Sequence, residues 1–119
     1  MKRIMFLVLL VLSTINYQPS TAFAQPTDNL NSVIAYPNPV RTSIGNDKVT
    51  FDNLTNNVNI KIFKINGAVV REIDATDTNG TVTWDLTNDS GEKLASGIYI
   101  YLISNELGQK TKSKIAIIR

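Results

Sequence analysis

Few residues in this 119-residue chain can do chemistry, and the missing types narrow the options first. There is no histidine and no cysteine. Catalytic triads built on those side chains, and His-ligated metal centres, are therefore unavailable. Carboxylate chemistry remains, with Asp74, Asp77, Asp85 and Asp89 as its candidates. A glycosidase-type pair needs two carboxyls facing across a groove. All four lie in or beside turn-like stretches rich in Asn, Gly and Ser, where solvated carboxylates are ordinary. The chain is expected not to be an enzyme. Residues 74–80 faintly resemble a calcium loop but lack the regular acidic spacing and distal glutamate of an EF-hand. No metal, cofactor or small-molecule substrate is expected.

The aromatic residues offer binding chemistry instead. Tyr99 and Tyr101 are two apart, so in a strand they share one face. They either stack on a sugar or pack across a sandwich with their hydroxyls at the rim, and packing is the simpler reading. Trp84, the only tryptophan, reads as a core residue. Lys110, Lys112, Lys114 and Arg119 make the C-terminal end basic, as expected of the solvated face of a last strand. Asn53, Asn79 and Asn88 begin glycosylation sequons, which arise by chance in Asn-rich turns.

The compartment is set by the N-terminus. Lys2 and Arg3 precede an unbroken apolar run over residues 4–12. That run is shorter than the roughly 20 residues a spanning helix needs. Small Ala22 and Ala24 follow a polar stretch containing Pro19, which gives a signal peptide over residues 1–24 cut between Ala24 and Gln25. Export without cysteine means neither disulfides nor a lipoprotein anchor. The formal charge of +2 disappears with Lys2 and Arg3, leaving ten basic against ten acidic side chains. Neither nucleic acid nor an anionic membrane is an expected partner.

These side chains must be positioned by short strands. Seven are expected, at 33–36, 48–51, 58–65, 68–73, 81–86, 97–104 and 109–118, divided by turn clusters. Asn66-Gly67 signals a two-residue hairpin between the third and fourth. Strand 97–104 is apolar or aromatic at every position from Ile98 to Ile103, so it is expected to be central, its second face covered by long side chains or a partner. Pro37 and Pro39 stiffen a strand edge or kink at the start. Gly97 is expected to hold a bulge or a positive-φ turn. The sum is an all-β, immunoglobulin-like antiparallel β-sandwich over residues 33–119, joined to the signal peptide by a short linker, 25–32.

The order of motifs resembles a known family. Tyr36-Pro37-Asn38-Pro39-Val40 opens it, and Val49-Thr50-Phe51 and Ile60-Lys61-Ile62-Phe63 follow. Trp84-Asp85-Leu86, Asn88-Asp89, Gly91, Leu94-Ala95-Ser96-Gly97-Ile98-Tyr99 and a basic apolar strand over residues 112–119 complete it. This resembles the type A C-terminal sorting domain of the type IX secretion system of Bacteroidetes-type bacteria. It is also similar to the immunoglobulin-like domain of the flagellar hook-capping protein. The resemblance implies export by the general secretory pathway to the periplasm. Recognition by outer-membrane translocon components, and delivery to the cell surface or medium, would follow. A surface sortase typically removes the domain from its cargo. The family's recurrent residues fall on Pro37, Asn38, Pro39, Gly97, Tyr99, Lys112 and Lys114. A cut near Ser32 would release only about eight residues from a chain beginning at Gln25. Two further readings stay open. One is a free-standing surface domain binding glycan or protein, and the other is a remnant of a larger secreted protein.

Overall fold

The computed structural model describes residues 25–119. The signal-peptide reading of residues 1–24, including Ala24 at the expected cleavage site, lies outside them. The described chain forms β1 (Ile34–Tyr36), β2 (Val40–Arg41), β3 (Val49–Asp52), β4 (Val58–Lys64), β5 (Val69–Ala75), β6 (Val82–Trp84), β7 (Gly97–Asn105) and β8 (Lys110–Ile118). They make a three-stranded sheet, β1-β3-β6, and a five-stranded sheet, β2-β8-β7-β4-β5. The two sheets make an immunoglobulin-like β-sandwich. All seven expected strands are present. The eighth, β2, pairs in parallel with β8, so the sandwich is not antiparallel throughout.

Alternation decides which face each strand buries. Val58, Ile60 and Ile62 of β4, Tyr99, Tyr101 and Ile103 of β7, and Ile115 and Ile117 of β8 are all buried. The small sheet answers with Val49 and Phe51 of β3 and Trp84 of β6. Phe51 meets Tyr101 edge-on across the sandwich, with ring centroids 5.2 Å apart and planes at 71°. That geometry adds about 0.5–1.5 kcal/mol to the burial of the two rings. The Trp84 indole N–H donates to the Thr87 carbonyl at 2.9 Å, so its one polar atom is satisfied. Each fully buried aliphatic side chain contributes about 1.5–3 kcal/mol. A cysteine-free domain must take its stability from such burial.

Turns set the register. The hairpin at Asn66-Gly67 forms, but not through a two-residue loop. Gly67 alone has positive φ (93°), the Gly67 N–H donates to Lys64 O, and the Lys64 N–H donates to Ala68 O. This is a three-residue loop with its glycine in the left-handed region. The same pattern recurs at Asn88–Glu92 with Gly91 and at Asn105–Gln109 with Gly108. In both of the latter, the first Asn also accepts two backbone N–H groups with its Oδ1.

Residues 25–32, expected as a linker, lie against the sandwich. Leu30 is only 2% exposed. The Thr27 N–H donates to Leu54 O at 2.8 Å, and Asn53 Nδ2 donates to Ser32 O at 2.9 Å. Gly80, at φ +92°, leaves room for the Gln25 carbonyl, which a Cβ there would strike.

Candidate functional site

The expected recognition residues divide between the core and one surface. Tyr99 faces inward, and its hydroxyl donates to Ala95 O at 2.8 Å. A strand-start tyrosine bonding back to the backbone a few residues upstream is a recurring corner of immunoglobulin-like sandwiches. Tyr101 is also buried, and burial raises its phenol above the usual tyrosine value, opposed in part by Ser113. Packing, not a sugar platform, is therefore what this pair does. Gly97 departs from expectation. It opens β7 opposite Ile117 with no positive φ, and a Cβ there would meet only the Tyr99 ring at 3.8 Å, an ordinary contact.

Pro37, Asn38 and Pro39 carry the chain from β1 in the small sheet to β2 in the large one. Both peptide bonds that precede the prolines are cis. Between them the Asn38 side chain acts as a one-residue strand. Its Nδ2 donates to Lys114 O at 2.9 Å and its Oδ1 accepts the Ala116 N–H at 3.1 Å. The amide thus substitutes for a peptide group beside β8, and β2 continues the pairing at Ile117 and Ile118.

The opposite edge of the sheet is treated alike. The Asp89 N–H donates to Val70 O at 3.0 Å, and Asp89 Oδ1 accepts the Glu72 N–H at 3.2 Å. Arg71 Nη1 holds this loop by donating to Asn88 O and Thr87 Oγ1. The Thr87 hydroxyl donates to Asp85, which lowers that carboxyl below its ordinary value, assisted by the Arg71 charge. Asp74 accepts from Asn59 Nδ2 at 2.6 Å, and Asp77 accepts from Asn56 Nδ2 at 3.4 Å. All four carboxylates singled out from the sequence are thus engaged in turn and edge contacts.

The outward face of the large sheet is ordered by its register. One row runs Asp74, Asn59, Ser104, Lys110, and the next runs Glu72, Lys61, Leu102, Lys112. The third runs Val69, Phe63, Ile100, Lys114. Two carboxylates, Glu72 and Asp74, therefore stand on β5, an apolar cluster of Phe63, Ile100 and Leu102 lies at the centre beside polar Asn59, Lys61 and Ser104, and three lysines line β8. Ile98, also outward, is 43% exposed, whereas Phe63, Ile100 and Leu102 are half-buried. Strand β7 is central, as its apolar run implied, and lysines of both neighbours, Lys61 and Lys112, stand opposite its Leu102. Sequence reading singled out Lys112 and Lys114. It missed the alignment of Lys112 with Lys61 and Glu72, and of Lys110 with Asp74, which only cross-strand register reveals.

A two-sheet sandwich with Phe51, Trp84, Tyr99 and Tyr101 buried between its sheets defines a class: an immunoglobulin-like β-sandwich module. Comparison with known proteins narrows this. The chain belongs to the secretion system C-terminal sorting domain family, which it matches over residues 34–118. This is the sorting-domain family of the type IX secretion system, a family of non-enzymatic signal modules. Among solved structures it is similar to PorZ, an essential bacterial surface component of the type-IX secretion system of Porphyromonas gingivalis. The likeness has a TM-score of 0.66 and 26% identity, over 76% of this chain and 12% of that one. It is also similar to dimeric latent PorU from Porphyromonas gingivalis, with a TM-score of 0.54 and 28% identity, over 72% of this chain and 9% of that one. The chain thus spans about a tenth of the length of either structure. No curated protein matches it.

Proposed function

We propose that this module is a non-catalytic address, read by outer-membrane components of the type IX machinery. The observation that carries the reading is the family match over residues 34–118. Likeness to PorZ and PorU supports it at the level of three-dimensional structure. In this reading residues 1–24 direct the chain through the general secretory pathway and are removed before Gln25. The folded module then crosses the periplasm to the outer membrane and emerges at the surface or in the medium. A sortase acting near Ser32 would cut a segment that packs on the sandwich through Leu30 and Thr27. The face bearing Lys112 and Lys114, with the Pro37-Asn38-Pro39 crossing at its edge, is the surface proposed to be read.

The test is the location and termini of the native chain, by fractionation and intact-mass spectrometry. Recovery outside the outer membrane, beginning at Gln25 and dependent on a working translocon, is expected. A product retaining Met1, or the same distribution in a translocon-deficient strain, refutes the reading.

A further inference from the structure

The large sheet ends in two edges. The β5 edge is closed over Val70 and Glu72 by Asp89. The β8 edge is closed by Asn38 at Lys114 O and Ala116 N, and by β2 from Ile117 onward. Those contacts fix the parity of β8. Even-numbered residues direct their N–H and C=O groups away from β7. Lys110 and Lys112, and the Lys114 N–H, therefore present a row of backbone donors and acceptors. Among the described residues no strand pairs with this stretch. Their side chains are exposed on the outward face, since alternate Ile115 and Ile117 are buried inward.

We propose that β8, over Lys110 to Lys114, accepts an added strand from a partner: an extended segment with carboxylates at alternate positions. Strand addition takes affinity from main-chain hydrogen bonds and specificity from alternate side chains. Here the alternate positions beside the edge are all lysine, at the spacing of every second residue. Carboxylates two apart on the incoming strand fall beside them. The lysines also explain why the edge is not a hazard. Two β8 edges brought together would align like charges, which is how natural edges resist pairing with their own copies. An acidic strand is turned away from the β5 edge by Glu72 and Asp74 as well as by the Asp89 closure. A shallow hollow of about 270 Å³, lined by Ile100, Lys112, Ser113 and Lys114, lies at the same place and offers apolar contact beside the charges. The inference rests on the reading of the module as an address only in giving the contact a purpose. Strand addition itself is a property of the purified chain.

The experiment is an NMR titration of the purified chain with an acetylated, amidated peptide, Val-Glu-Val-Glu-Val-Glu-Val, reading amide hydrogen exchange. Outward amides of an unpaired edge exchange fast. The alternating peptide is expected to slow the Lys110, Lys112 and Lys114 amides by about tenfold or more. A peptide of the same composition with its three glutamates contiguous is expected to leave them fast. Binding should weaken as salt is raised. Lys112→Pro removes one outward N–H, which an edge strand tolerates, and should abolish the protection with the fold intact. Lys112→Glu should do the same by repulsion. Binding without protection of these three amides, or equal protection by both peptides, overturns the proposal. Concentration-dependent self-association through this edge in sedimentation would also overturn it, giving the site to a second copy. This result and the export result are independent, so failure of either is attributable.

Discussion

Asn38→Ala tests whether the Pro-Asn-Pro crossing is structural. Asn38 makes two hydrogen bonds to β8, to Lys114 O at 2.9 Å and from the Ala116 N–H at 3.1 Å. Each neutral hydrogen bond has a net value of about 0.5–1.5 kcal/mol. Because the residue is exposed, water replaces part of each, and the lower half of the sum applies: about 1–2 kcal/mol. For a domain of this size that lowers the melting temperature by about 5–10 °C. Asn38→Asp should cost at least as much, because it keeps the acceptor for Ala116 but sets a carboxylate against the Lys114 carbonyl. The assay is thermal and denaturant unfolding, with exchange of the Ala116 amide as the local readout. A variant within about 0.5 kcal/mol of the parent, the range of inconsequential surface changes, with Ala116 still protected, would refute the edge-closing role. Asn38 would then be conspicuous only to a partner.

Three other outcomes follow from the same geometry. Leu30→Ala should destabilise the chain by about 2–5 kcal/mol, the range for a truncated core leucine, and limited proteolysis should then cut within residues 25–32 ahead of the sandwich. Tyr99→Phe should lose about 1 kcal/mol with its bond to Ala95 O, read by denaturant titration. Burial raises the Tyr101 phenol in the folded state. Its neutral form therefore contributes fully below the unfolded value of about 10, and that contribution is lost as pH rises through the folded value. Stability should fall on the alkaline side, and less steeply in Tyr101→Phe, as measured by melting temperature against pH.

The strands were legible because alternation and turn chemistry agree. Val58, Ile60 and Ile62 alternate with polar neighbours, and glycines at 67, 91 and 108 mark the three tight turns. Strand β2 was not legible. Two residues after a proline carry no period, and its partner, β8, lies some 75 residues onward in sequence. Leu30 is one apolar side chain in a polar stretch, and the contacts that hold its segment, Thr27 to Leu54 O and Gln25 against Gly80, join residues far apart in sequence, which no local pattern announces. The recognition residues were found as types, and packing was foreseen for Tyr99, but the roles of Gly97 and Asn38 were not. Tyr99 serves the core, Gly97 needs no special backbone, and Asn38 closes an edge. The placing of Glu72 and Asp74 at one side of the sheet face and Lys110, Lys112 and Lys114 at the other depends on register, which is set by turns far from those residues.

If the fold is an address, it should carry a foreign protein to the surface. A periplasmic reporter carrying residues 25–119 at its C-terminus is expressed in a type IX-competent bacterium, and its surface fraction is measured by protease accessibility. The reporter is expected to reach the surface, and to stay in the periplasm when the translocon is disabled. A folded fusion that remains periplasmic in the competent strain would contradict it.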